Sequence, residues 1–156
     1  MTATRRSLSF VKAELVHLND LREIAYHSER YWGFSDEFME IFEKKFNITE
    51  SFLEKNPVYI GMEMDIPVCF WGVIPSHNRC ELEYFYVDTE CIGNGYGAAM
   101  WRHLTNWCSE NYMSEISFVT SSQAVGFYEK MGASVKGETL SIIDGRVIPK
   151  LLYILE

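Results

Sequence analysis

Surplus positive charge is missing from this chain. Its 156 residues carry 14 Lys and Arg against 22 Asp and Glu, a formal net charge of -8. That balance leaves no broad basic face for nucleic-acid phosphates and no polybasic strip for a membrane surface. Long apolar runs are missing too. The longest, Val68 to Ile74, is far below a membrane span. The opening Met1-Thr2-Ala3-Thr4-Arg5-Arg6-Ser7 leads into only a few apolar residues before Lys12 and Glu14. That is too short for a signal-peptide core, and a reducing cytoplasm is the expected setting. No two of the four cysteines (Cys69, Cys80, Cys91, Cys108) form a Cys-x-x-Cys pair, and none lies near a histidine at zinc spacing. No metal is therefore expected, and the thiols read as buried or incidental. Internal repeats, low-complexity tracts and linkers are also lacking.

What is present is ordinary globular composition: 47% hydrophobic, 15% aromatic and 23% charged residues. Such a chain suits one domain, residues 1–156, with one sizeable core. The acidic balance mildly favours a cationic partner such as an amine.

The pattern along the chain predicts a strand over Ser9 to Leu15 and a helix over Asp20 to Tyr31, with Leu21, Ile24, Ala25, Ser28 and Tyr31 at helical spacing. Trp32-Gly33-Phe34 breaks that helix. Ser35 caps a second one, whose apolar face is Phe38, Ile41, Phe42 and Phe46, and Thr49 caps a short turn through Glu54. Three strands follow, Val58 to Met64, Val68 to Ile74 and Glu81 to Val87, as an antiparallel meander. A helix over Gly97 to Asn111, a strand over Glu115 to Thr120 and a helix over Ser122 to Met131 come next, the last stopped by Gly132. Val135 to Ile143 and Val147 to Leu155 close the chain as a hairpin around Asp144-Gly145. The expected class is α+β, a mixed and mostly antiparallel sheet flanked by helices. A simple doubly wound fold would alternate strand and helix throughout, which this chain does not.

The informative stretch runs from Glu81 to Trp101, where a strand ends, Ile92-Gly93-Asn94-Gly95-Tyr96-Gly97 turns, and a helix begins. Unpaired N–H groups at such a helix start form a concave anion site, and glycine lets the backbone come close. Three alternating glycines alone serve a tight turn equally well. A dinucleotide fingerprint fits poorly, because it opens a βαβ unit and needs an acidic residue about twenty positions on, where this chain has Ile116, Ser117 and Phe118.

With these residues in view, the chain resembles the GNAT superfamily of acetyltransferases. In that family a loop of the form Gln/Arg-x-x-Gly-x-Gly/Ala binds the pyrophosphate of acetyl-CoA, and Gly95 and Gly97 match its two glycines. A second family block, Ala-x-x-x-Tyr-x-x-x-Gly, is matched by Ala124, Tyr128 and Gly132. The resemblance covers Val58 to the C-terminus; the first two helices match in position only. Ile92 stands where the family often has Arg or Gln, Ser121 where it often has Asn, and Ala133 where it often has Phe. A missing side-chain contact to the phosphates forfeits about 1.5–3 kcal/mol.

The resemblance implies acetyl transfer from acetyl-CoA to a primary amine, directly within a ternary complex, with no metal and no protein nucleophile. It assigns the cofactor contacts to Phe85, Tyr86, Val87, Ile92, Gly93, Asn94, Gly95, Tyr96, Gly97, Ala98, Ser121 and Tyr128. Tyr128 would protonate the leaving thiolate; otherwise it is a core tyrosine on the face of Ala124, Phe127 and Met131. Glu81 is the first candidate base and Glu83 the second. By the period-two rule both share a strand face with Phe85 and Val87, which would desolvate a carboxylate; otherwise they are a solvated strand end. Tyr26, Tyr31, Trp32, Phe34 and Phe38, interspersed with Glu29, Asp36, Glu37 and Glu40, are expected to hold the ammonium by cation–π and charge contacts, or else form ordinary helix core. Tyr31, Trp32 and Phe34 are the leading members. His103 reads as a surface residue. Two rivals remain: a GNAT-like acyl-CoA sensor that transfers poorly, and an α+β interaction module whose glycine loop is only a turn. Exposed edges in the last strands allow a homodimer.

Overall fold

A computed structural model describes residues 8–155. The elements are β1 (Ser9–Lys12), α1 (Leu18–Tyr31), α2 (Asp36–Ile41), α3 (Glu50–Lys55), β2 (Val58–Glu63), β3 (Ile66–Ser76), β4 (Arg79–Val87), α4 (Tyr96–Glu110), β5 (Glu115–Val119), α5 (Val125–Lys130), β6 (Ser134–Leu140) and β7 (Val147–Ile154). The expected order holds, with local differences. β1 stops at Lys12, and Leu15–His17 forms a 3-10 turn that feeds α1 from Leu18. The apolar stripe after Ile41 continues as a π turn over Phe42–Phe46. β3 runs on through Pro75 to Ser76, and β6 stops at Leu140, three residues short of Ile143.

Local chemistry accounts for these boundaries. Ser35 Oγ accepts the Phe38 N–H at 3.1 Å and Thr49 Oγ1 accepts the Phe52 N–H at 3.1 Å, so both expected caps form. Met64 and Asp65 take positive φ at the β2–β3 turn, and His77 does so at the β3–β4 turn.

The sheet has seven strands in the order β1-β2-β3-β4-β5-β7-β6. Every neighbouring pair is antiparallel except β4 with β5. One face packs Leu21, Ile24 and Ala25 of α1 and Phe38, Met39 and Phe42 against Ile60, Phe70 and Tyr84. The other packs Met100, Leu104 and Cys108 of α4 and Tyr128 of α5 against Trp71, Val73, Leu82 and Ile116. Helices thus cover both faces, and truncating a fully buried Leu21 or Leu104 to Ala costs about 2–5 kcal/mol. Among the described residues all four cysteines are free thiols; Cys80 Sγ and Cys108 Sγ lie 3.5 Å apart in the core.

Buried Asn47 fastens α1 to the π turn. Its Nδ2 donates to the Arg22 carbonyl at 3.0 Å and to Glu43 Oε2 at 2.9 Å, its Oδ1 accepts the Ile48 N–H at 2.8 Å, and Arg22 pairs with Glu43 at 2.8 Å. Fully satisfied buried networks of this kind fix geometry, and here they fix where the far end of α1 lies.

His103 is not the surface residue the sequence suggests. It is half-buried on α4, stacks on Phe10 with ring centroids 4.1 Å apart, and its Nδ1 accepts the Trp71 Nε1–H at 3.0 Å. Phe10 and Trp71 lie far away in sequence, so helical spacing alone could not reveal them. Burial holds its imidazole below the ordinary value of 6.5, with Glu110 pulling weakly the other way. A lowered folded pKa contributes stability present above the unfolded value and lost as pH falls through the folded one. We therefore expect the thermal midpoint to fall on acidification below about pH 6.5, and to fall less in His103→Phe, which keeps the stack but cannot titrate. Equal falls in both proteins would remove His103 from the effect.

Candidate active site

The ladder between β4 and β5 is short. Arg79, Cys80 and Glu81 face Glu115, Ile116 and Ser117, and there the pairing ends. On its other edge β4 stays paired with β3 as far as Val87 opposite Cys69. Within that ladder Tyr84 faces Gly72 and Leu82 faces Val73, so Glu83 is an extra residue with nothing opposite it, a β-bulge. The bulge inverts the side-chain alternation. Cys80 and Leu82 join the α4 side of the core, as do Phe85 and Val87, whereas Tyr84 and Tyr86 join the α1 side. The expectation that Glu81 shares a face with Phe85 and Val87 is thus corrected: one inserted residue separates them, and Glu81 and Glu83 are both exposed. Glu83 nevertheless titrates above the usual carboxylate range, through partial desolvation and the charge of Glu81.

Beyond the bulge, β4 and β5 form a fork whose β4 edge pairs with no strand among the described residues. Tyr128 lies across it. Its ring sits 5.7 Å from Phe85 of β4 and 4.6 Å from Phe118 of β5, with Trp101 of α4 at 5.8 Å. Tyr128 is 7% exposed, and its hydroxyl has no hydrogen-bond partner among the described residues. Burial, and then the charge of Glu29, raise its pKa, so the phenol is protonated at neutral pH. Trp101 Nε1 in the same aromatic group is buried without a hydrogen-bond acceptor.

The glycine loop closes the open end of the fork. Asp88 Oδ1 caps a 3-10 turn over Thr89–Cys91 by accepting the Glu90 N–H at 3.1 Å. Gly93 and Gly95 then take φ of +92° and +79°, and α4 begins at Tyr96. Added Cβ atoms at Gly93 and Gly95 would meet nothing within 4 Å, so these glycines serve a backbone bend and an open surface above it. Gly97 serves contact instead: a Cβ there would stand 3.1 Å from the Phe127 ring of α5. Among the described residues the N–H groups of Gly93, Gly95, Gly97 and Ala98 make no backbone hydrogen bond, and the first internal bond of the helix is Ala99 N–H to the Gly95 carbonyl at 3.2 Å. These donors and the dipole of a 15-residue helix make an anion cradle. Tyr96 turns its buried ring inward, its hydroxyl on Glu63. Ile92 is exposed, Asn94 is exposed, and Ser121 is half-buried at the start of the turn into α5.

The third component is Glu29, on the last turn of α1. Its Oε1 accepts the Tyr86 hydroxyl at 2.7 Å. Burial pushes its carboxyl above the usual range; the Tyr86 bond and the nearby Arg146 charge oppose this in part. Arg146 comes from the β6–β7 loop. Its guanidinium lies 4.6 Å over Phe34 and 5.7 Å over Phe38, and its Nε pairs with Asp144 at 2.5 Å. The expected aromatic cluster therefore resolves into pairs: Tyr26 on His27, Tyr31 on Trp32 and Phe34 on Phe38. Phe34 already carries a cation, so its ring is not the open cation–π face the sequence suggested, while Tyr31 and Trp32 are exposed. Sequence reasoning placed Glu29 among four acids that could help hold an ammonium, or else form a solvated face, and did not single it out. The available signal was its spacing of four from Ala25 and eight from Leu21, the buried stripe of α1. Two shallow concavities, of about 320 Å³ between α1 and the π turn and about 350 Å³ between α1, α2 and the π turn, include no residue of the fork.

Among the described residues no group of three or more His, Cys, Asp or Glu is placed to hold a metal, and no helix is long and apolar enough to cross a membrane.

A family model described as the Acetyltransferase (GNAT) family matches residues 18–133. Among solved structures, the chain is similar to the PaiA N-acetyltransferase from Thermoplasma acidophilum in complex with coenzyme A, at TM-score 0.82 and 16% identity over 96% of this chain and 99% of that one. It is also similar to a GCN5-related N-acetyltransferase from Rhodopseudomonas palustris, at TM-score 0.80 and 16% identity over 99% and 100% of the two chains. A ribosomal-protein alanine N-acetyltransferase from Escherichia coli matches at TM-score 0.73 and 14% identity over 94% and 93%. At these identities the likeness is one of fold. No curated protein matches the sequence.

The Tyr86 bond favours ionised Glu29, so removing it must raise the carboxyl further. Tyr86→Phe is expected to move the Glu29 titration upward, followed by the side-chain carboxyl carbon resonance. A titration that stays put or moves down would show that the bond does not hold the charge.

Proposed function

This chain belongs to the GNAT family of acetyltransferases, and from that premise we propose that it moves an acetyl group from acetyl-CoA to a primary amine by direct transfer in a ternary complex. The observation that carries the proposal is the fork between β4 and β5, with an anion cradle at its mouth and a protonated tyrosine across it. Residues on both sides fit the donor. The open N–H groups of Gly93, Gly95, Gly97 and Ala98 suit the pyrophosphate, with Ile92, Asn94, Tyr96 and Ser121 around them. The unpaired edge of Phe85, Tyr86 and Val87 suits the amide-bearing arm, which would lie there like an added strand.

Acetyl-CoA, when bound, supplies the acetyl group already activated as a thioester. The chain has to do three further things: orient that group, donate a hydrogen bond to the developing oxyanion, and return a proton to the leaving sulfur. An N–H on the β4 edge is suited to the second task. The Tyr128 hydroxyl is suited to the third, because its raised pKa keeps the proton in place until a thiolate forms and no other group among the described residues shares it.

A second reading, acyl-CoA binding with little transfer, is favoured by one feature. Ile92 is apolar and 47% exposed where the family often has a phosphate-binding Arg or Gln. Calorimetric titration with acetyl-CoA and with free CoA separates the alternatives from a non-binding interaction module. Saturable micromolar binding is expected, and no binding up to millimolar ligand would overturn the proposal. Gly95→Asp should abolish that binding in a folded protein, since it places a negative side chain at positive φ in the cradle. In Tyr128→Phe the turnover number should fall about 10²-fold or more with CoA affinity nearly unchanged; turnover equal to the parent protein removes Tyr128 from the chemistry.

A further inference from the structure

A desolvated carboxylate normally pairs with a cation. Glu29, half-buried on the last turn of α1, does not. Among the described residues it forms no ion pair, and Arg146, the nearby cation, is committed to Asp144 and to the faces of Phe34 and Phe38. Its Oε1 is held by Tyr86, and Oε2 has no hydrogen-bond partner among the described residues. The position is pointed as well. Tyr86 follows Phe85, whose ring touches Tyr128, so Glu29 lies on the α1 side of β4 while Tyr128 lies on the α5 side. The charged and titratable groups that face Glu29 are Tyr86 from β4, Tyr128 from α5 and Arg146 from the β6–β7 loop.

We propose that Glu29 is the acceptor site's base: its Oε2 binds the primary ammonium of the acceptor and takes one proton from it. The inference rests on the amine-transfer reading. In the step, one N–H bond breaks, an O–H bond forms on Oε2, and the electron pair stays on nitrogen, which becomes a neutral nucleophile. Burial favours that protonated carboxyl, which makes Glu29 a better proton acceptor than an exposed acid. Tyr86 holds Oε1, which leaves Oε2 for the ammonium, and is a positioning residue. Glu81 and Glu83, the acids that sequence alone suggested, are exposed on β4 and lack this enclosure.

The test uses the full chain and four forms: parent, Glu29→Gln, Glu29→Asp and Glu81→Gln. Gln keeps the acceptor for Tyr86 and removes the base. Thiol release from acetyl-CoA is followed with n-butylamine, L-alaninamide and spermidine across pH. Glu29→Gln should lose about 10²–10³-fold in kcat/KM near neutrality. The deficit should shrink as pH nears the amine's own pKa, about 10 for an alkyl ammonium, because the amine then arrives already neutral. Glu29→Asp should restore part of the rate and the parent pH profile. A Glu29→Gln protein with the parent profile, or a loss confined to Glu81→Gln, overturns the proposal. A second readout does not need turnover. CoA-saturated protein is titrated calorimetrically with the same three amines as ammonium ions, and Glu29→Gln should bind at least 10-fold more weakly. Ammonium binding that ignores Glu29, or none in the parent, also overturns it. A parent that binds ammonium through Glu29 but releases no thiol would instead sink the transfer reading and leave the ammonium site standing.

Discussion

Glu83 stands in β4 with no residue opposite it, and that single insertion organises the site. A regular β4 would continue the face of Cys80 and Leu82 through Tyr84 and Tyr86. The bulge instead hands Tyr84 and Tyr86 to the α1 side and Phe85 and Val87 to the α4 side. It also adds twist, and just before it the ladder to β5 ends. From this follow an unpaired backbone edge, a gap that Tyr128 can span, and a hydroxyl of Tyr86 directed at α1. This edge lies in the middle of the sheet, rather than at β1 or β6, and is open to an extended partner.

On the proposed reading, the two core layers serve the two sides of one reaction. The α4–α5 layer carries the glycine loop and Tyr128. The α1–α2 layer carries Glu29, positioned by the Asn47 network at the other end of the helix. Glu29 opposes stability. Its raised pKa means that a favourable protonated state is present at low pH and lost as pH rises through the folded value. A fold selected for stability alone would place an apolar residue four positions after Ala25. Keeping a carboxylate there costs free energy at neutral pH, and the cost is intelligible where a bound cation offsets it.

Much of the fold was legible in the sequence because it is written locally. Helical spacing, Ser35 and Thr49 as caps, Gly132 as a stop and the glycine loop all act within a few residues, and the Gly95 and Tyr128 blocks are each local patterns that their order along the chain links. What was not legible depends on partners distant in sequence. The bulge exists only in relation to Gly72 and Val73 on the neighbouring strand; β4 alone reads as unbroken alternation. His103 looks like a polar position on α4 until Phe10 and Trp71 arrive from β1 and β3. Phe34 looks like an open cation–π face until the β6–β7 loop lays Arg146 on it. Glu29 resembled its acidic neighbours, because only its burial against Tyr86 sets it apart.

Ile92 raises a quantitative question about the cradle. Losing one charge-assisted hydrogen bond costs about 1.5–3 kcal/mol, or roughly 10- to 150-fold in affinity. Against that stand four backbone donors without partners among the described residues and the positive end of α4, at about 0.3–1 kcal/mol for the dipole on a surface anion and about 1.5–3 kcal/mol for each well-formed bond to a charged oxygen. Backbone donors of this kind are fixed by the fold and need little ordering on binding, whereas an Arg or Gln side chain must be immobilised. On the proposed reading, the backbone donors offset the missing side chain, and the substitution therefore weighs on how tightly the donor is held.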